Sequence, residues 1–186
     1  GSEMCIRDSS ASTAILATTS PPALCTRASM AFRLPPVEMT SLGFSDALNP
    51  YEETPAELAC VLKGGALIAE RTPFERVITN IQDGCVMGYK YFDFGADYGS
   101  KTMQLFADVM GFGCACDVHV RLDAEDGEEI GCFHVGRGAE CIKTRVKAVT
   151  GRHALYFAVT THYSGWTGDF FAGRCLMEFK KFVFMK

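Results

Sequence analysis

Eight short segments rich in β-branched and aromatic residues follow one another from residue 76 onward, separated by turn-forming residues. They are RVITNI, CVMGYKYFDF, TMQLFADVM, CDVHVRLD, EIGCFHV, CIKTRVKAV, HALYFAVTT and LMEFKKFVFM. Strands repeated at this close spacing predict an all-β sandwich or barrel. No segment of about ten residues shows the period and caps of an amphipathic helix.

The composition excludes several classes of partner. The chain has 186 residues, 48% hydrophobic and 22% charged, which is enough for one domain with a buried core. Its net charge of −4 and the lack of a basic block argue against nucleic acid and anionic membrane as partners. No apolar run approaches the ~20 residues that a membrane helix needs.

Nine cysteines lie mostly inside apolar, strand-like segments. An odd number without scaffold-like spacing predicts reduced, buried thiols that pack as small hydrophobic side chains. This usage favours a reducing, cytoplasmic compartment, and no signal peptide is visible, so localisation stays open.

One hairpin can be predicted in detail from VHVRLDAEDGEEIGCFHV. Asp126-Gly127 supplies the positive φ angles of a two-residue type I′ turn. That turn pairs Val120 with Phe133 and His119 with His134. One face of the hairpin is then apolar, and the other is polar and faces solvent. The predicted apolar face carries Val118, Val120, Leu122, Phe133 and Val135.

The same register puts Cys132 and Asp117 beside the two histidines His119 and His134. Directly opposed Cβ atoms lie ~5 Å apart, so a zinc site is geometrically possible, and two solvent-facing histidines are the alternative. No third ligand has a diagnostic spacing, and Cys114-Ala-Cys116 lacks the two-residue gap of a zinc or redox motif. We therefore assign no metal ligand.

The beginning of the chain differs in character from the rest. Residues 1–36 are rich in Ser, Thr, Ala and Pro and predict no packed structure. MCIRDS resembles a translated sequencing-adapter oligonucleotide, so this head is either an artefact or a genuine disordered N-terminus. Residues 37–46 are predicted to be a linker, and residues 47–186 the β-sandwich.

Three motifs, NIQDGCVMGYKYFDFG, VRLDAEDGEEIG and VTGRHALYFAV, resemble carbohydrate-binding module family 6 in their order and spacing. They are most similar to the copy at the C-terminus of glycoside hydrolase family 43 enzymes, arabinofuranosidases and xylosidases. PPVEMTSLGF resembles the end of the catalytic propeller of these enzymes. The resemblance covers residues 37–186 and implies a jelly-roll β-sandwich. Residues 1–36 are too few for a propeller, so it also implies a truncated fragment without hydrolase activity.

The family holds a sugar between two aromatic rings in a cleft at one edge of the sandwich. In this chain Asn80 replaces the first aromatic residue, residues 136–139 offer no second one, and Cys175 lies near the expected Asn position. The long loop HYSGWTGDFFAGR borders the cleft in the resembled family. Long loops in compact domains are often functional.

We predict that this loop supplies the ligand-binding residues. Tyr163 and Trp166 would stack on sugar rings, whereas Asp169 and Arg174 would bind hydroxyl groups, with Asn80 nearby. The alternative is that Trp166 folds back as a lid over two phenylalanines of the loop, because a large aromatic side chain is usually mostly buried.

The resembled family also tends to bind a structural calcium ion. Here Pro55 replaces one expected acidic residue and Lys180 stands where an aspartate is expected, so a Glu57–Lys180 ion pair is predicted in place of the metal. Calcium needs six or more oxygen ligands. No metal and no cofactor are therefore expected.

Two functions are open at this point. The first is a non-catalytic module of a glycoside hydrolase that binds plant β-glycans such as xylan or arabinoxylan. The second is a structural accessory domain that packs on the parent propeller without binding glycan. An enzyme ranks third, because nothing in the sequence marks a pair of carboxyl groups at the fixed distance that glycoside hydrolysis needs.

Deleting residues 1–30 should leave the thermal midpoint of the protein unchanged within error, because this segment is predicted not to pack on the sandwich. Differential scanning calorimetry of the full and shortened chains measures the difference. A fall of several degrees, about 1 kcal/mol for a domain of this size, would show that the segment belongs to the fold.

Overall fold

The computed structural model describes Ser41 and residues 47–96, 99–163 and 165–186. The predicted head, residues 1–36, and the predicted linker, residues 37–46 apart from Ser41, lie outside the described residues. Within those described ranges, no helix is long and apolar enough to cross a membrane.

The described residues form a sandwich of two antiparallel sheets. One sheet has the strand order β3-β4-β11-β6-β9, with β1 beside β11, and the other has the order β2-β5-β10-β7-β8. The strands are β1 (Thr54–Pro55), β2 (Val61–Lys63), β3 (Leu67–Thr72), β4 (Glu75–Ile81), β5 (Val86–Asp93), β6 (Thr102–Gly111), β7 (Cys116–Leu122), β8 (Glu129–Val135), β9 (Cys141–Lys147), β10 (Arg152–Thr161) and β11 (Met177–Met185). The helices are a 3-10 turn (Ala56–Leu58) and α1 (Gly165–Phe171).

The predicted fold class is confirmed, and the eight predicted segments are the strands β4 to β11. Strands β1, β2 and β3 are absent from the sequence prediction. The first two are too short to show a period, and β3 is an edge strand whose residues are almost all exposed. A strand without a buried face carries no alternation that a sequence could reveal.

A cluster of aromatic rings fills the space between the sheets. Phe182 of β11 lies 5.0 Å from Tyr89 and 5.8 Å from Phe92, both on β5, and 4.9 Å from Phe157 on β10, measured between ring centroids. These rings are completely or almost completely buried. Mostly edge-to-face and tilted pairs of this kind contribute beyond the apolar area they remove from water.

The β7–β8 hairpin has the predicted faces but not the predicted register. Val118 pairs with Phe133 and His119 with Cys132, so the predicted pairing of His119 with His134 is wrong. The shift is two residues, which keeps every side chain on its own face. The five residues of the predicted apolar face are all buried.

The turn of this hairpin explains the shift. The positive φ angle belongs to Asp123, at 63°, and not to Asp126-Gly127. The Asp123 carboxylate accepts a hydrogen bond from the backbone N–H of Ala154 at 3.1 Å, which ties the start of the turn to β10. The chain therefore leaves β7 at Asp123, and the connection is longer than two residues.

The cysteines of the described residues are all unpaired thiols. Cys85, Cys114 and Cys116 are buried as predicted, whereas Cys60 and Cys141 are exposed. Burial raises the pKa of the Cys116 thiol to about 12, so this thiol is protonated near neutral pH. The buried cysteines thus pack as small apolar side chains.

One carboxylate is buried in the six-stranded sheet. Glu178 of β11 is 2% exposed and accepts hydrogen bonds from the Thr79 hydroxyl at 2.9 Å and from Arg71 Nε at 3.1 Å. Arg71 lies on the edge strand β3, so this ion pair joins the edge strand to the centre of the sheet. A buried charge depends on its partners far more than an exposed one.

Replacing Arg71 with Met should lower the free energy of unfolding by about 2 kcal/mol, because the Glu178 carboxylate stays buried without its counter-ion. Lys181→Met is the matched control. Lys181 pairs with Glu53 at 2.8 Å and both side chains are largely exposed, so its loss should cost less than about 1 kcal/mol. Urea denaturation measures both values, and equal losses would contradict the assignment.

Candidate functional site

The connection between β10 and β11 contains a short helix where a loop is predicted. Helix α1 spans Gly165–Phe171, and the backbone N–H of Ala172 donates to the carbonyl of Gly168 at 2.9 Å. Gly173 follows with a φ of 73°, a left-handed conformation that ends helices and that glycine adopts at little cost. The helix is two turns long, too short to show a period in the sequence.

An exposed stack of planar groups, which we call the Trp166 stack, is formed by Trp166 and Phe170 of α1 and by Arg174, which follows the helix. Trp166 is 79% exposed, and its ring lies 6.0 Å from that of Phe170 at an interplanar angle of 23°. The Arg174 guanidinium lies 4.1 Å from the centroid of the Phe170 ring. Trp166 and Phe170 are four residues apart, the spacing that brings side chains together on a helix.

The inner side of the connection anchors α1 to the sandwich. The Tyr163 ring packs 4.8 Å from that of Phe171, and both rings are half-buried against the core. The Tyr163 hydroxyl accepts a hydrogen bond from the backbone N–H of Ala115 at 3.4 Å. Tyr163 therefore supports the helix from beneath, while Trp166 faces solvent.

A cavity of about 420 Å³ lies between α1 and the β4–β5 turn. Its lining includes Tyr163 and Asp169 from the connection and Gln82 and Asp83 from the turn. The Asp83 carboxylate also accepts a hydrogen bond from the backbone N–H of Thr161 at 2.8 Å. Two carboxylates, an amide and two aromatic rings, those of Tyr163 and Phe171, thus line one cavity.

Asn80 does not line this cavity but contacts Gln82, which does. Its side-chain amide donates to the Gly65 carbonyl at 2.8 Å, and its side-chain oxygen accepts from Gln82 Nε2 at 3.0 Å. Its φ of 54° is a conformation that asparagine tolerates better than most residues. Asn80 thus orients Gln82, which itself lines the cavity.

The five predicted ligand-binding residues fall into three groups. Tyr163 and Asp169 line the cavity, Trp166 and Arg174 belong to the Trp166 stack, and Asn80 lies behind Gln82. Their role stays a prediction. The predicted set lacks Phe170 and the polar residues of the β4–β5 turn. For Phe170 the only signal in the sequence was its spacing of four residues from Trp166.

A wider groove crosses the outer face of the six-stranded sheet. It measures about 630 Å³ and runs over β6 and β11, with Phe106, Met110 and Val183 among its lining residues. The Lys143 ammonium lies 5.0 Å from the Phe106 ring centroid. Both apolar and charged side chains line this groove, and two of the charged ones, Lys181 and Glu53, pair with each other.

The position predicted to lack calcium holds two lysines. The predicted Glu57–Lys180 pair is wrong, because Lys180 Nζ lies 3.6 Å from a carboxylate oxygen of Glu75, and Lys181 pairs with Glu53. The hydrogen bond with Glu53 raises the pKa of Lys181 above its usual value. Each ammonium group thus has a carboxylate partner other than Glu57.

All four histidines of the chain lie within hydrogen-bond distance of a carboxylate. Asp117 is the partner of two of them, His134, at 2.7 Å, and His162. Burial tends to raise the pKa of Asp117, but its hydrogen bonds with these histidines hold the pKa below its usual value. Asp117 is therefore ionised at neutral pH.

Comparison with known proteins gives matches in structure only. No family model matches the sequence, and no curated protein matches it. A glycoside hydrolase family 43 arabinoxylan arabinofuranohydrolase from Bacillus subtilis, solved with cellotetraose, matches with a TM-score of 0.59 and 26% identity. The match covers 76% of this chain and 28% of that enzyme.

Two isolated modules match over nearly their whole length. A family 6 module from Clostridium stercorarium with bound cellobiose has a TM-score of 0.61 and 19% identity, covering 76% of this chain and 98% of the module. A β-1,3-glucan-binding family 6 module from Bacillus halodurans has a TM-score of 0.62 and 20% identity, covering 76% and 100%. The domain has the fold of a family 6 carbohydrate-binding module.

The domain should not depend on calcium for its stability, because Pro55 and Lys180 stand where the resembled family has acidic residues, and Lys180 puts an ammonium group there. Its thermal midpoint should be the same in a calcium chelator and in millimolar calcium. A saturable rise of the midpoint with calcium would reveal a native-state site, since a ligand that binds only the folded state must stabilise it.

Proposed function

We propose that this domain is a non-catalytic carbohydrate-binding module and that it binds a plant β-glycan of the xylan or arabinoxylan type through the Trp166 stack. The observation that carries the proposal is the exposure of two stacked aromatic rings on a helix that is fixed to the core from beneath. Exposed aromatic patches of this kind mark interaction sites.

The chemistry of the stack suits a sugar ring. One face of a pyranose is a set of C–H groups, which packs on the face of an aromatic ring, while hydroxyl groups project around its edge. Arg174 offers fixed donors beside Phe170, and Asp169 offers an acceptor on the neighbouring side of α1. A neutral glycan also agrees with the absence of a basic block in the sequence.

The ligands of the similar modules support the same class of partner. Family 6 modules of this fold were solved with cellobiose and with xylose. The match to an arabinoxylan-degrading enzyme supports a xylan-type ligand and a parent of glycoside hydrolase family 43. No catalytic residue is assigned to this chain, because the proposal leaves hydrolysis to the parent propeller.

The accessory role is the second candidate function. The chain spans 28% of the Bacillus subtilis enzyme, so a larger catalytic partner would be available to cover the Trp166 stack. In that case Trp166 and Phe170 would lose their exposure by docking on the propeller, and glycan binding would not depend on them. Both functions use the same surface, so one variant can separate them.

Trp166→Ala should abolish retention of the protein on xylan in affinity electrophoresis, because the larger ring of the stack is lost. Stability should change by less than about 1 kcal/mol, since a side chain that is 79% exposed contributes little to the core. Phe74→Ala is the matched control. Phe74 is 99% exposed and lies outside the site, so its loss should leave retention unchanged.

Unchanged retention of Trp166→Ala would overturn the binding site, and Phe106→Ala would then test the groove on the six-stranded sheet. A loss of about 3 kcal/mol or more would mean that Trp166 is a packing residue. Weaker docking to a separately expressed propeller, with glycan retention intact, would support the accessory role instead.

A further inference from the structure

A second group of side chains with ligand chemistry lies on the outer face of the five-stranded sheet, on the β7–β8 hairpin. His119 and Cys132 are directly paired across the two strands, and Glu129 lies one step nearer the turn. One ligand atom from each of these three residues lies within 4.8 Å of the other two. No glycan-binding role is assigned to this cluster.

A β-bulge brings the third member to this face. The pairing runs from Val120 opposite Gly131 to Arg121 opposite Glu129, so Ile130 is the extra residue in β8. Ile130 is buried, whereas Glu129 is exposed on the outer face. Without the bulge, Ile130 would face Arg121 and the Glu129 side chain would lie on the opposite, buried face of the sheet. Bulges often re-aim side chains in this way beside functional sites.

The histidine ring is held in place from its other side. Nδ1 of His119 lies 3.0 Å from a carboxylate oxygen of Glu129, and Nε2 lies 2.9 Å from the Thr160 hydroxyl on β10. A hydrogen bond to the far ring nitrogen is the usual support of a metal-binding histidine, because it fixes the tautomer and the ring orientation.

We propose that His119 Nδ1, Glu129 and Cys132 Sγ form a three-ligand site for Zn²⁺ or a similar divalent transition ion, with solvent as the fourth ligand. Imidazole nitrogen, thiolate and carboxylate are the three ligand types that zinc takes in proteins. The thiolate argues against calcium and magnesium, which prefer oxygen ligands. A tetrahedral site needs ligand atoms about 3.5 Å apart, so small side-chain rotations close this one.

The surrounding charges permit a cation at this position. Arg121 is a neighbouring positive group, with a guanidinium nitrogen 3.9 Å from a Glu129 oxygen, but its other terminal nitrogen donates to the Glu125 carbonyl at 2.8 Å. Asp117 follows on the same outer face of β7 and is bound to His134 and His162. The cluster is half-buried, so an ion can enter from solvent and lose part of its hydration.

Titration of the full chain with Co²⁺ tests the site, because cobalt bound to a thiolate gives a charge-transfer absorption that cobalt bound to nitrogen and oxygen alone lacks. Wild type should show a saturable band with one ion bound at this site. Cys132→Ser should remove the band from that site, and His119→Gln should weaken binding by about tenfold or more. Zn²⁺ should displace the cobalt and raise the thermal midpoint of wild type but not of Cys132→Ser.

Two controls separate this site from other groups. Cys141→Ser removes an exposed thiol on β9 of the other sheet, and His134→Gln disrupts the neighbouring Asp117 cluster; both should keep the band. Thermal midpoints measured in chelator show whether each variant is folded. If His119→Gln fails to fold, Cys132→Ser still tests the site, because it replaces only the sulfur atom by oxygen. No band in wild type, or a band that survives Cys132→Ser, would overturn the proposal.

Discussion

The contact of the Phe182 side chain with the rings of the opposite sheet is the interaction on which the rest of the structure depends. Phe182 belongs to β11, in the middle of the six-stranded sheet, and its ring meets Tyr89, Phe92 and Phe157 of the five-stranded sheet. Rings packed between two sheets fix both their spacing and their relative angle. The ends of β10 and β11 are therefore held at a set distance, and the connection between them crosses from one sheet to the other. That connection carries α1.

A rigid sandwich beneath a short helix explains how two aromatic rings can be exposed to solvent and still be held in a defined position. Tyr163 and Phe171 close the end of the core, and the backbone N–H of Leu176 donates to the Ile81 carbonyl at 2.7 Å where the chain enters β11. Trp166 and Phe170 face the other way, and Arg174 lies against Phe170. A preformed surface of this kind avoids the entropy cost of ordering side chains on binding. The proposed metal-ligand cluster on β7 and β8 is likewise formed in advance, since the strand register and one bulge determine which side chains meet.

The sequence was sufficient to predict features that depend on the alternation of apolar and polar residues. It was insufficient where the structure depends on a single backbone angle. Eight strands and the buried face of the β7–β8 hairpin follow from alternation of apolar residues. The register does not, because Asp123 adopts a positive φ and binds the β10 backbone, a contact that local turn propensity cannot reveal. The sequence also gives no signal for the bulge at Ile130, so the position of the Glu129 side chain could not be predicted. Helix α1 was missed because it has only seven residues, two of them the glycines Gly165 and Gly168, and Phe170 was missed with it.

The central claim is that the Trp166 stack is the glycan-binding surface, and the single tryptophan of the chain allows a direct measurement. Fluorescence of the full chain is recorded during titration with xylo-oligosaccharides, alongside calorimetry of the same binding reaction. We expect a saturable shift of the emission to shorter wavelength and protection from acrylamide quenching, because a sugar ring on Trp166 removes the indole from water. Both changes should have the same midpoint concentration as the calorimetric titration. Calorimetric binding without any change in tryptophan emission or quenching would place the glycan elsewhere and contradict the account.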